Sequence, residues 1–264
     1  MTAGTGPLPD ANPRVVTHVE HVMGTVVSFR VLPSDEAGLD HVGQLLAEAC
    51  ALLHRVDSVF STWDARSPLS ELRAGVRTIE QCPPAVAEVL EHCSTAKVWS
   101  NGWFDPWAMP GGIDPTGLVK GWAADGALAI LRQPAVAAAL VNAGGDVVGF
   151  GCPSPGARWR VGIRHPWRAD AVACVVYLDG AVATSATYER GAHLIDPHTG
   201  KNRALAASAT VCGPTLAMSD ALATALGVGG DAVMAAIDAL TGYEAYLIRP
   251  DGSEISTPGM PFAD

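Results

Sequence analysis

Asp220 and Thr224 stand four residues apart in the run Asp-Ala-Leu-Ala-Thr. On a helix that spacing puts both side chains on one face, so a carboxylate and a hydroxyl lie side by side. A carboxylate in so apolar a stretch needs compensation. Hard oxygen donors of this kind suit Mg²⁺, which keeps waters and phosphate oxygens in its octahedral shell. The same spacing also suits a plain polar stripe with an Asp-to-Thr contact. A second segment, Asp114-Pro-Thr-Gly-Leu-Val-Lys-Gly-Trp-Ala-Ala-Asp125, puts Gly117 at a loop-to-helix junction. Backbone can approach a ligand closely there, and a helix N-terminus favours anionic groups. Lys120, read into the first helical turn, reaches toward a phosphate or is simply solvated.

Asn142-Ala-Gly-Gly-Asp146 interrupts a strand pattern with two glycines, as at a bulge, a close approach or a hairpin turn. Ser185-Ala-Thr-Tyr-Glu-Arg190 leads into His193-Leu-Ile-Asp196-Pro-His198. A histidine at a strand end can act as a general base, because its pKa lies near neutrality. Asp196 orients it or binds a polar part of a ligand. A metal site from His193, Asp196 and His198 fits poorly, since Pro197 makes the segment a turn whose side chains need not converge. Met23-Gly24-Thr25 and the polar loop Ser61–Ser67 say little by themselves.

These residues need elements to hold them. Apolar positions 39, 42, 45, 46, 49, 52, 53, 56 and 60 predict a long amphipathic helix over Leu39–Phe60. Further helices are predicted from Pro83-Pro84 to Trp99, Leu118 to Arg132, Thr215 to Val228 and Asp231 to Leu240. Val15–Leu32 reads as strand, turn, strand, and Ala137–Phe150 as a hairpin. Trp159–Ile163, Cys174–Leu178, Ala181–Thr187, Ser208–Cys212 and Tyr243–Ile248 read as strands, and Ser61–Gly75 as a polar loop. Strands mixed with helices without steady β-α alternation predict an α+β fold. We expect residues 1–14 to be a disordered lead-in and residues 15–264 to form one domain of two lobes.

The 264 residues are 48% hydrophobic and 17% charged, enough to fill a core. A formal net charge of −10 argues against nucleic acid as a partner. With no apolar run near the ~20 residues a span needs, and no signal peptide, we expect a cytoplasmic protein without membrane insertion. The six cysteines form no C-x-x-C pair, which argues against a zinc site and for buried thiols.

Taken in order, these segments resemble the ApbE family of FAD:protein FMN transferases. The matching pieces are Met23-Gly24-Thr25, Phe60-Ser61 with Ser67, Phe104-Asp105-Pro106, Asp114 to Asp125, Asn142 to Asp146, Tyr188-Glu-Arg190, His193 with Asp196-Pro197, and Asp220 with Thr224. The resemblance implies a mostly antiparallel sheet with packed helices and FAD in a cleft between two lobes. It implies Mg²⁺ at the diphosphate, held by Asp220, Thr224 and the carbonyl of Gly117. Met23, Ser67, Asp105, Lys120, Asn142, Gly144, Gly145, Asp146, Arg190 and Asp196 would contact the flavin nucleotide, and His193 would be the base. The implied reaction moves FMN from FAD to a threonine of an acceptor protein and releases AMP. The rival readings are an FAD pyrophosphatase, giving FMN and AMP, and a non-catalytic FAD-binding protein. Asp114-Pro115-Thr116-Gly117 departs from the family's usual Asp-Leu-Gly-Gly, which makes this loop stiffer.

Overall fold

The computed structural model describes residues 15–35, 38–186 and 195–264. It opens with strands β1 (Val16–Val22) and β2 (Thr25–Pro33). Helices α1 (Gly38–Phe60), α2 (Pro68–Arg73), α3 (Pro84–Trp99) and α4 (Thr116–Leu131) follow. Next come β3 (Val136–Ala143), β4 (Asp146–Phe150), β5 (Arg160–Arg164), β6 (Val172–Tyr177) and β7 (Ala181–Ala186). The short β8 (Ile195–Asp196) and β9 (Lys201–Asn202) precede β10 (Ser208–Gly213). Helices α5 (Leu216–Gly229) and α6 (Asp231–Asp238) then lead to β11 (Glu244–Ile248) and β12 (Glu254–Ser256).

Eight strands form one sheet in the order β1-β2-β3-β4-β7-β10-β11-β12, and every neighbouring pair is antiparallel. The architecture is α+β. Period-two alternation sends successive side chains to opposite faces. In β11, Ala245 and Leu247 join the larger core, which the helices cover. Tyr246 and Ile248 join a smaller one with Ile163 of β5, Val176 of β6, Trp159 and Leu178. Both faces are covered in the sheet centre, which is why β10 is buried at every position. The edge strand β1 keeps every second residue exposed until Val22.

Two connections set up the site. The β3–β4 hairpin turns on Gly144 (φ 63°) and Gly145 (φ 104°), and the Asn142 side chain accepts the Gly145 N–H at 2.8 Å. Positive φ at both central residues matches the primed turns that two-residue hairpins favour. Helix α5 is buried along almost its whole length. It crosses α4 backbone to backbone at Gly121, where a Cβ would sit 2.4 Å from the Leu216 carbonyl oxygen.

Three local readings need correction. The polar stretch after Phe60 contains α2, started by Ser67, whose Oγ accepts the Ser70 N–H at 3.0 Å, and by Pro68 in the first turn. Six residues are too few for apolar periodicity to register. The chain does not close on β11, because the turn after Ile248 returns it as β12. Finally, α4 starts at Thr116, so Gly117 lies inside the helix and Lys120 a turn further in. The Asp114 carboxylate starts the helix early by accepting the Thr116 N–H (3.1 Å) and hydroxyl (2.7 Å).

Candidate active site

Helices α4 and α5 and strands β4 and β7 meet at a cavity of about 420 Å³, within the range of small-molecule sites. Asp146, first residue of β4 and 4% exposed, anchors its wall. One carboxylate oxygen accepts the Thr184 N–H of β7 at 2.8 Å. The other is in contact with the Lys120 ammonium from α4. That ammonium also lies 3.2 Å from the Asp220 carboxylate of α5. A turn along α5, the Thr224 hydroxyl is 3.4 Å from Ser185 Oγ of β7. Gly117 faces Thr224 directly, since a Cβ on Gly117 would lie 3.5 Å from its Oγ1. Gly117, Lys120, Asp146, Asp220 and Thr224 therefore share one wall.

The cavity lining is mostly acidic among the described residues. Among the described residues, the charged groups lining the cavity are Asp105, Asp114, Asp146, Asp220 and Lys120. Asp105 is neutralised from outside by Lys97 at 2.7 Å and Asp114 by Arg73 at 3.6 Å. On the inner wall, the Lys120 ammonium contacts both the Asp146 and the Asp220 carboxylates. A polyanion entering such a site is repelled unless a further cation accompanies it. Carboxylate, hydroxyl and carbonyl oxygens at Asp220, Thr224 and Gly117 are the donor types that suit Mg²⁺.

Other residues named from the sequence have different places. Asp105 and Gly144 line the cavity. Ser67 does not; buried at 2%, it donates to the Ser61 carbonyl and caps α2. Asn142 and Gly145 build the hairpin turn beside Gly144. Met23, at φ 54°, packs against the larger core, and its neighbour Thr25 reaches the cavity. Asp196 sits behind the wall. It binds Arg203 at 3.0 Å, and that guanidinium lies 5.2 Å from the centroid of Trp103, a cavity-lining ring. His193 and Arg190 lie outside the described residues.

Burial opposes ionisation of Asp196, but hydrogen bonds from Arg203, the His198 N–H and Thr199 outweigh it and hold the carboxyl below its usual range. A depressed folded-state pKa gives stability that is present above the unfolded value of ~3.9 and lost as pH falls through the folded one. Acid unfolding followed by fluorescence below about pH 4 is therefore expected to be shallower in Asp196→Asn than in the unaltered chain.

Asp125 has a role that residue spacing does not reveal. From α4 its carboxylate accepts the N–H groups of Leu216 (2.9 Å) and Ala217 (2.8 Å), capping α5 across 91 residues of sequence. Burial pushes this carboxyl up, and the two N–H groups pull it partway back. The available signal was a charged residue in an apolar helix, the same signal that singled out Asp220. Loss of such a cap typically costs ~1–2 kcal/mol. Asp125→Ala should lower the urea midpoint accordingly and weaken any ligand that needs α4 and α5 in register.

The model of the ApbE family matches residues 23–112 and 108–247. The FAD:protein FMN transferase of Rhodobacter capsulatus is 38% identical over 159 residues, which cover 56% of this chain and 30% of that protein. That of Salmonella typhimurium is 30% identical over 156 residues, 55% of this chain and 45% of the relative. The chain thus spans less than half the length of these curated relatives. Among solved structures, the flavinyl transferase ApbE of Pseudomonas stutzeri in its apo form superposes with a TM-score of 0.80 at 22% identity, covering 95% of this chain and 97% of that one. The flavin transferase ApbE of Vibrio cholerae gives 0.79 at 20% identity, covering 93% and 98%. Both likenesses are in fold.

Proposed function

The chain belongs to the ApbE family, and from that premise we propose that it transfers FMN from FAD to a threonine hydroxyl of an acceptor protein, with Mg²⁺ as cofactor and AMP as the released product. The observation that carries this reading is the Lys120 ammonium set between the carboxylates of Asp146 and Asp220, on a wall shared with Gly117 and Thr224. These groups set a phosphate-binding ammonium beside the oxygen donor types that suit Mg²⁺.

In this reading Asp220, Thr224 and the Gly117 carbonyl would hold Mg²⁺, which when bound would supply neutralising charge to the phosphate oxygens. Lys120 binds a phosphate oxygen, and Asp146 fixes where its ammonium points. The acceptor hydroxyl oxygen forms a bond to the phosphorus that carries riboflavin. The bond from that phosphorus to the AMP oxygen breaks, and AMP departs with the electron pair. We assign the hydroxyl proton to His193, on the resemblance alone; a positioned base of this kind is worth roughly 10²–10⁴ in rate. Arg190 and Asp196 complete the nucleotide site as proposed contacts, directly or through Arg203 and Trp103. We place the reaction in the cytoplasm on the strength of the sequence; no helix among the described residues is long and apolar enough to cross a membrane.

The test is to incubate the protein with FAD, Mg²⁺ and an acceptor domain bearing an exposed threonine motif, and to weigh the acceptor intact. Gain of one FMN with matching AMP release is the expected result. FMN and AMP accumulating with the acceptor unmodified would favour a pyrophosphatase, and binding without turnover a flavin carrier. His193→Ala should slow transfer far more than it weakens FAD binding; equal losses would make it a binding residue.

A further inference from the structure

We propose that His18, Glu20 and Cys50 form a second cation site, separate from the cavity and suited to a borderline-soft divalent ion such as Zn²⁺. Strand β1 puts His18 and Glu20 on the same face, two residues apart, and both are half-buried beneath α1. Helix α1 brings Cys50 and, one turn on, His54 to that face. The His18 Nε2 lies 3.3 Å from Glu20 Oε2, and the His54 Nε2 lies 3.1 Å from Glu20 Oε1. One donor atom each from His18, Glu20 and Cys50 falls within 4.8 Å of the other two. Tetrahedral bonds of about 2.0–2.3 Å place neighbouring donors roughly 3–4 Å apart, so small side-chain movements close the site.

The donor set decides the ion. Nitrogen, carboxylate and thiolate together suit Zn²⁺, whereas the oxygen donors of the cavity suit Mg²⁺. The site is also prepared for binding. The His18 ring is steered by Phe29, its cross-strand partner, at 6.0 Å between centroids. His54 touches the carboxylate oxygen opposite the one nearest His18, so it positions Glu20. The His18 side chain is 40% exposed and Glu20 25%, which leaves an entry path, while Cys50 is buried. Burial, and then Glu20, push the free thiol up to about 11. Forming the metal–sulfur bond displaces the Cys50 proton to solvent. No C-x-x-C pair marks the site, because its ligands come from a strand and a helix that meet only in the fold. Bound metal would clamp the β1–β2 hairpin to α1, and the turn of that hairpin carries Thr25 to the cavity.

The test is a Co²⁺ titration of the full chain without FAD, in the presence of excess Mg²⁺. The expected result is one equivalent of tetrahedral Co²⁺ with a thiolate-to-metal charge-transfer band, displaced by Zn²⁺. Cys50→Ser should lose the band, and Asp220→Ala should keep it. His54→Ala should weaken Co²⁺ binding ~10–100-fold, as loss of a ligand's supporting contact does. His18→Ala changes a half-exposed side chain and keeps the test available if Cys50→Ser fails to fold; it should weaken binding at least as much. A band absent from the unaltered chain, or one that survives Cys50→Ser or His18→Ala unchanged, overturns the site. None of these outcomes depends on the proposed transferase activity.

Discussion

Asp220→Ala is expected to abolish Mg²⁺-dependent turnover of FAD, with kcat falling by at least ~10²-fold, the scale seen when one preorganised electrostatic partner of the transition state is removed. The effect should be this large because no second carboxylate on α5 can replace it: Asp220 is the acidic residue of that helix, and its neighbours Ala217, Ala221 and Ala223 are apolar and buried. Folding should survive. Alanine suits a helix interior, and Lys120 keeps Asp146 as its partner. The assay is AMP release at saturating FAD across a Mg²⁺ titration, with a thermal melt of the same preparation. Turnover unchanged in a folded variant would remove the metal from α5.

Gly121→Ala should produce a large loss of stability from a single methyl group. A Cβ at this position would lie 2.4 Å from the Leu216 carbonyl oxygen and 2.8 Å from the Ala217 nitrogen. Both atoms belong to the backbone at the start of α5, so neither can swing aside like a side-chain tip. Overpacking of this kind typically costs ~1–3 kcal/mol, occasionally more, and the upper end applies when helices must part. Gly126→Ala, one and a half turns further along α4, is the internal control. Its Cβ would meet only the Leu52 Cδ2 at 2.8 Å, the flexible end of a side chain. Urea denaturation should separate the two clearly. Because Gly117 and Lys120 ride on α4 and Asp220 on α5, Gly121→Ala should also lose activity at temperatures where it remains folded. Equal, small shifts in both variants would mean that the crossing is not as close as described.

The sequence made the helices legible because their apolar faces repeat over several turns, as in α1, where Val42, Leu45, Ala49, Leu53 and Val56 are all buried. The oxygen pair on α5 was legible for the same reason, since a helix fixes what lies four residues away. What periodicity cannot reach is contact across the fold. The Lys120–Asp146 pair spans 26 residues and the Asp125 cap 91, and no local pattern encodes either. Ser67, named as a nucleotide contact only through the family resemblance, is buried and starts α2, because Ser-Pro is a helix start. The cluster of His18, Glu20 and Cys50 was hidden because two of its residues lie on a strand and the third on a helix.

Anomalous scattering from Mn²⁺ in crystals grown with FAD locates the cation relative to the nucleotide, Mn²⁺ replacing Mg²⁺ at an oxygen site. We expect a single strong peak bonded to Asp220 and Thr224, with the diphosphate between it and Lys120. A nucleotide whose diphosphate lies away from α4 and α5, or a peak that ignores Asp220, would mean that the reaction does not take place on this wall.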